Sequence, residues 1–113
     1  MDGQIVSIDG TGNRVGGMAF GPKKVIIVVG SNKITKDIPS AIQRNLEIAA
    51  PLNYLRHNVK HHNRFDNPCL KVGFCTDCRS QRRGCLNQVI IDGATELNRD
   101  RIHLILVNGD LGY

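Results

Sequence analysis

The chain has 113 residues, 41% of them apolar, and a formal net charge of +5. That length allows a single domain with a modest core, and that composition excludes a disordered chain. No charged-then-apolar leader opens the sequence and no apolar run is long enough to span a bilayer, so the expectation is a cytoplasmic protein without a membrane partner, its thiols kept reduced.

The positive excess sits in one region. From Arg56 to Cys85 stand seven basic residues, among them Lys60, Lys71, Arg79, Arg82 and Arg83, against Asp66 and Asp77, and this accounts for the whole net charge. Phe65 and Phe74 are the only aromatics in that span, too few for a base-stacking surface, which argues against nucleic acid as the partner.

In chain order, Asp2-Gly3 is a hairpin-turn signal followed by a short alternating strand at residues 4–8, yet no strand precedes the turn. Residues 9–14, D-G-T-G-N-R, make a glycine-rich turn opening a short helix at 15–20. Such a turn can present N–H groups to a phosphate, so Gly10, Thr11, Gly12, Asn13 and Arg14 are candidate anion-binding positions; a purely structural turn is the competing reading. Residues 25–29, V-I-I-V-V, are apolar at every position and predict a strand buried on both faces, as in a parallel sheet.

The main helix starts at Asp37, a good N-cap, with Pro39 in its first turn and one apolar face at Ile38, Ala41, Ile42, Leu46 and Ala49. Pro51 is expected to end or kink it near Ala50, leaving a further turn or two at 52–56. Residues 57–67 are polar and read as an exposed connection. Residues 88–92 and 102–107 read as strands around a turn at 93–99, with His103 inside the last.

All four cysteines fall between residues 68 and 87, at Cys69, Cys75, Cys78 and Cys85, spaced C-x5-C-x2-C-x6-C. The Cys75–Cys78 knuckle lets two sulfurs converge, and Gly73 and Gly84 give the outer two a pliable backbone. Four thiolates on one loop can bind zinc tetrahedrally or hold the irons of a cubane cluster; the uneven spacing tilts toward the iron–sulfur cluster. Either group carries about two negative charges, which the surrounding basic residues offset. Two disulfides or four free thiols are the alternatives. His57, His61, His62 and His103 could replace a cysteine in the shell, though solvated loop histidines are commoner.

The segments D-G-T-G-N-R, G-P-K-K-V-I-I-V-V-G, I-A-A-P-L-N, P-C-L-K-V-G-F-C-T-D-C and R-I-H-L-I-L-V-N-G-D-L-G-Y occur in an order that resembles the C-terminal half of the LUD (lactate-utilisation) domain, in a cysteine-bearing, stand-alone form. The resemblance implies an α/β fold, part of a NagB/RpiA/CoA-transferase-like α/β/α sandwich with a mainly parallel sheet and a cysteine-rich metal-binding loop. It also implies a link to the oxidation of lactate to pyruvate beside iron–sulfur redox partners. A full LUD domain is about twice this length, because such sandwiches need several βα units. One partial domain over residues 1–113 is therefore expected to pair with a separate N-terminal LUD half or to form a homodimer. Gly16 and Gly17 replace bulkier small residues of the family and should weaken their helix.

Two other functions compete. One is a non-catalytic protein-interaction module stapled by zinc. The other is a CoA-transferase-like or sugar-phosphate-isomerase-like enzyme fragment using the 10–14 turn, against which stands the lack of a glutamate in a glycine-rich context: Glu47 reads as a helix-surface residue and Glu96 as a loop residue.

Overall fold

The computed structural model describes residues 3–62 and 65–113. Its strands are β1 (Ile5–Asp9), β2 (Val25–Gly30), β3 (Asn87–Ile91) and β4 (Ile102–Val107). Its helices are α1 (Asn13–Ala19), α2 (Ile38–Arg44), α3 (Ala50–Lys60) and α4 (Pro68–Val72). Asp2 of the hairpin-turn signal lies outside the described residues.

The fold is mixed α/β, but the strands form two pairs where one mainly parallel sheet was expected. β1 runs antiparallel to β3, with Ile5 opposite Ile91 and Asp9 opposite Asn87. β2 runs parallel to β4, with Val25 opposite Ile102 and Gly30 opposite Val107. Helix α1 packs on β1 and β3, and α2 leans on β1, whereas no helix makes a comparable contact with β2 or β4. The expected double burial of β2 therefore fails: Ile26 is 61% exposed and Val28 54%, and Leu104, Ile105 and Leu106 of β4 are exposed as well. The apolar run fits a covered sheet, but nothing among the described residues covers this one. No helix among the described residues is long and apolar enough to cross a membrane.

The buried part of the fold centres on the end of β1. Asp9 is only 5% exposed. Its carboxylate accepts the N–H groups of Gly12 (2.5 Å), Arg14 (2.9 Å) and Val15 (3.0 Å), and so holds the start of α1 from the end of β1. Gly12 turns the chain into the helix in the left-handed region (φ 84°), where a Cβ would be strained. The Arg14 guanidinium donates to the Ile8 carbonyl at 2.8 Å, closing the turn. Burial pushes the Asp9 carboxyl up, but the N–H groups of Val15, Gly12 and Arg14 together with the Arg14 charge outweigh it and hold the pKa below the usual value.

The far end of α1 is tied by Arg101, at the threshold of β4. Its guanidinium donates to the carbonyls of Ala19 and Pro22, both at 3.2 Å, and to those of Gly17 and Met18. A cation on the last carbonyls of a helix satisfies acceptors that the helix leaves open and opposes its dipole. The Arg101 carbonyl in turn accepts the Val25 N–H at 2.8 Å. One residue thus links the α1 end to the start of the parallel pair.

Pro51 does not break the main helix. The chain passes from α2 into α3 through a π-helical turn, Asn45–Ala49, in which the Ala50 N–H reaches back to the Asn45 carbonyl. Proline removes one N–H and crowds the carbonyl four residues earlier; widening the turn by one residue relieves both. The helix then continues to Lys60, past the expected stop at 56.

Substitutions at Asp9 and Arg101 have definite effects on stability. Asp9→Ala orphans three N–H groups around a buried site and lowers stability by about 3 kcal/mol in urea unfolding. Because the folded pKa of Asp9 lies below its unfolded value, its contribution is present above the unfolded pKa, about 3.9, and is lost as pH falls through the folded one. Asp9→Asn therefore flattens the acid limb of the stability–pH curve. Arg101→Lys, a point charge lacking the planar fork, lowers the melting temperature nearly as far as Arg101→Ala.

Candidate functional site

The cysteine segment docks on this centre. The Asp9 carbonyl accepts the Leu86 N–H at 3.1 Å, and the Asn87 side-chain amide donates to the Gly10 carbonyl at 3.0 Å. Gly84 lies so close to its surroundings that an added Cβ would stand 2.7 Å from the Tyr54 hydroxyl, and one added at Gly10 would stand 3.1 Å from the Gly84 Cα. The Tyr54 hydroxyl donates to the Arg82 carbonyl at 2.8 Å. Tyr54, Val15 and Pro51 are among the few apolar side chains that the fold buries.

Segment 68–87 is not a plain loop. Pro68 and Gly73 bracket the short helix α4, with Gly73 left-handed just past its end. Proline inside the start and glycine past the end is a helix signal present in the sequence. Beyond it, residues 75–80 carry no regular structure.

This path brings all four predicted cysteines to the wall of one small cavity of about 20 Å³. Leu46, Ala50 and Tyr54, one turn apart along the π turn and α3, form another wall, with Asn67 and Arg83 beside them. Each cysteine is part-buried and free of disulfides. No three His, Cys, Asp or Glu side chains among the described residues are grouped so that they could hold a metal ion. The thiols surround a space without converging on one point.

Three observations bear on whether these residues suit a metal–thiolate group. In the C-T-D-C knuckle, the Asp77 N–H donates to the Cys75 Sγ at 3.4 Å. Asp77 adopts φ 49° to do so, a left-handed conformation that aspartate tolerates better than most residues. The Arg83 guanidinium donates to the Cys78 carbonyl at 2.9 Å, placing a cation at the rim. Burial pushes the Cys69 thiol up, and neighbouring Cys78 adds to it; burial likewise pushes the Cys85 thiol up, with Arg83 opposing. Cys69 and Cys85 thus resist ionising, and a cation beside them would reverse that. The donor chemistry fits a metal–thiolate group; the space is small, and admitting a larger inorganic cluster requires the coil at 75–80 to yield.

Tyr54 remains neutral: burial pushes its pKa up to about 12, and Cys85, Cys69 and Cys78 push the same way. It is a donor and a wall, not a nucleophile. The histidines stand elsewhere. His57 and His61 stack at 5.9 Å against Phe65 on the far end of α3, and none of the four histidines lines the cavity.

The anion candidates fare differently. At residues 10–14 the N–H groups of Gly12 and Arg14 are taken by Asp9, the Thr11 hydroxyl by Asn13, and the Arg14 guanidinium by the Ile8 carbonyl. The turn serves the fold. Asn67, the tyrosine wall and the knuckle N–H escaped the sequence reading; the polar connection expected at 57–67 gave no hint that Asn67, next to Pro68, would be 1% exposed.

A cycle on the docking contact has a definite outcome. Gly84→Ala lowers stability by about 1–3 kcal/mol through overpacking, and Tyr54→Phe by about 1 kcal/mol through the lost hydrogen bond. Because the hydroxyl is the nearest obstacle to the new methyl, the double variant loses less than the sum in urea unfolding.

Comparison with known proteins bears out the family resemblance. The family model described as the LUD domain matches residues 1–107, nearly the whole chain. No curated protein and no solved structure matches. The chain belongs to the LUD domain family.

Proposed function

We propose that this LUD protein holds an iron–sulfur cluster on Cys69, Cys75, Cys78 and Cys85 and supports organic-acid oxidation of the lactate-to-pyruvate kind, exchanging electrons with iron–sulfur partner proteins in the cytoplasm. The observation that carries it is the wall of four thiols around one cavity, with a backbone N–H already directed at one sulfur. Thiols that surround a space without meeting at one point suit a polynuclear group better than a single ion. A tetrahedral zinc site needs sulfurs about 3.8 Å apart, given bonds of about 2.3 Å.

Within this reading the chain's own residues have distinct tasks. The four cysteines are the ligands. The Asp77 N–H stabilises the Cys75 thiolate, Arg83 offsets charge at the rim, and Tyr54 with Leu46 and Ala50 screens one side from water. A bound cluster would supply one-electron transfer. The bare β2–β4 pair supports a second element of the reading: the chain is one part of an α/β/α sandwich, completed by a separate N-terminal LUD half or by a second copy.

One observation favours the zinc-stapled interaction module instead, namely the cavity volume of about 20 Å³. The enzyme-fragment reading built on the 10–14 turn has less support, because Asp9 takes the N–H groups of Gly12 and Arg14.

Iron, zinc and acid-labile sulfide per chain, measured on protein purified without oxygen, separate these. The proposal expects about four irons and a brown chromophore. Near-stoichiometric zinc without colour selects the staple, and neither metal rejects both. Cys78→Ser is expected to lose the bound group and lower the melting temperature; unchanged metal content contradicts the ligand assignment.

A further inference from the structure

The most deeply buried side chain in the described structure is polar. Asn67 is 1% exposed, and neither its Nδ2 nor its Oδ1 has a hydrogen-bond partner. It stands immediately before α4, where an asparagine normally turns back to cap the helix, yet it makes no side-chain cap bond; only its backbone carbonyl serves, accepting the Leu70 N–H at 2.9 Å. Leaving a buried amide without partners costs about 1–3 kcal/mol per group, and native folds rarely tolerate it without a reason.

Asn67 lines the same cavity as Cys69, Cys75, Cys78 and Cys85. Neutral thiols are weak acceptors and offer the amide little to bind. Thiolate and inorganic sulfide are better acceptors, and their negative charge strengthens an N–H donor directed at them. The cavity lining also includes the side chains of Leu46 and Ala50 and a tyrosine hydroxyl already given to the Arg82 carbonyl.

We infer that Asn67 is a positioning residue for the cavity's occupant, its Nδ2–H₂ donating to a sulfur of the cysteine-held inorganic group and stabilising the more negative, reduced state. This rests on the proposed function of the cysteines and adds to it a residue outside the ligand set. Hydrogen bonds to cluster sulfurs are one of the levers by which a protein raises a reduction potential. The Asp77 N–H on Cys75 is a second donor of the same kind, supplied by the backbone, so Asn67 is the one that substitution can remove.

The test uses the full chain reconstituted without oxygen from ferrous iron and sulfide, alongside Asn67→Leu and Asn67→Asp. Leucine keeps the bulk and removes the donor; aspartate keeps the shape and adds repulsion toward a dianionic site. Both variants are expected to lower the midpoint potential relative to the parent and to lose iron to a chelator about 10-fold faster or more. The metal-free leucine variant is expected to melt higher than the metal-free parent, since its orphaned amide is gone. A merely structural asparagine would alter melting but leave the potential in place.

If the parent takes up iron and both variants match its potential and chelator resistance, Asn67 has no role toward the group and the inference fails while the cluster stands. A parent that takes up no iron overturns the functional reading and this inference together. Should the leucine variant fail to fold, the aspartate variant decides alone.

Discussion

The carboxylate of Asp9 is the constraint on which most of this structure depends. Three backbone N–H groups converge on it, one turn of helix is started by it, and its own carbonyl receives the strand that returns after the cysteine segment. A buried anion is costly unless fully hydrogen-bonded, so the turn has little freedom to open toward a ligand. The same requirement fixes Gly10 against Gly84 and Gly84 against Tyr54. The glycine-rich turn that looks like an anion cradle is already occupied by an anion of the chain itself.

From that centre outward the packing becomes sparse. Few apolar side chains are fully buried, and the β2–β4 pair presents isoleucine, valine and leucine to solvent. Two linkages compensate in part: Arg101 across the end of α1, and the Tyr54 hydroxyl on the Arg82 carbonyl. Both are single side chains spanning otherwise separate pieces of backbone. A chain organised this way gains much from any group that binds only the folded form, whether a metal held by the cysteines or a partner lying over the open sheet.

Local signals in the sequence were legible where short-range chemistry decides. The four strands lie within one residue of their expected positions, Asp37 caps α2 through the Ser40 N–H at 2.8 Å, and the cysteine spacing does bring four thiols to one cavity. What could not be read depended on distant contacts. The antiparallel β1–β3 pairing joins segments about eighty residues apart, and V-I-I-V-V says only that a strand is apolar, not that anything covers it. Pro51 announces a disturbance but not its form, because a kink and a π turn relieve the same clash. Asn67 reads as one more polar residue before a proline until its burial is seen.

The central claim is that the four cysteines, held against the Asp9–Tyr54 centre, act as one set of ligands. X-ray absorption at the metal edge of protein purified without oxygen tests it most directly. The account predicts a first shell of sulfur alone, with a second shell of iron scatterers. A first shell containing nitrogen or oxygen ligands, or no metal at the edge at all, would contradict it.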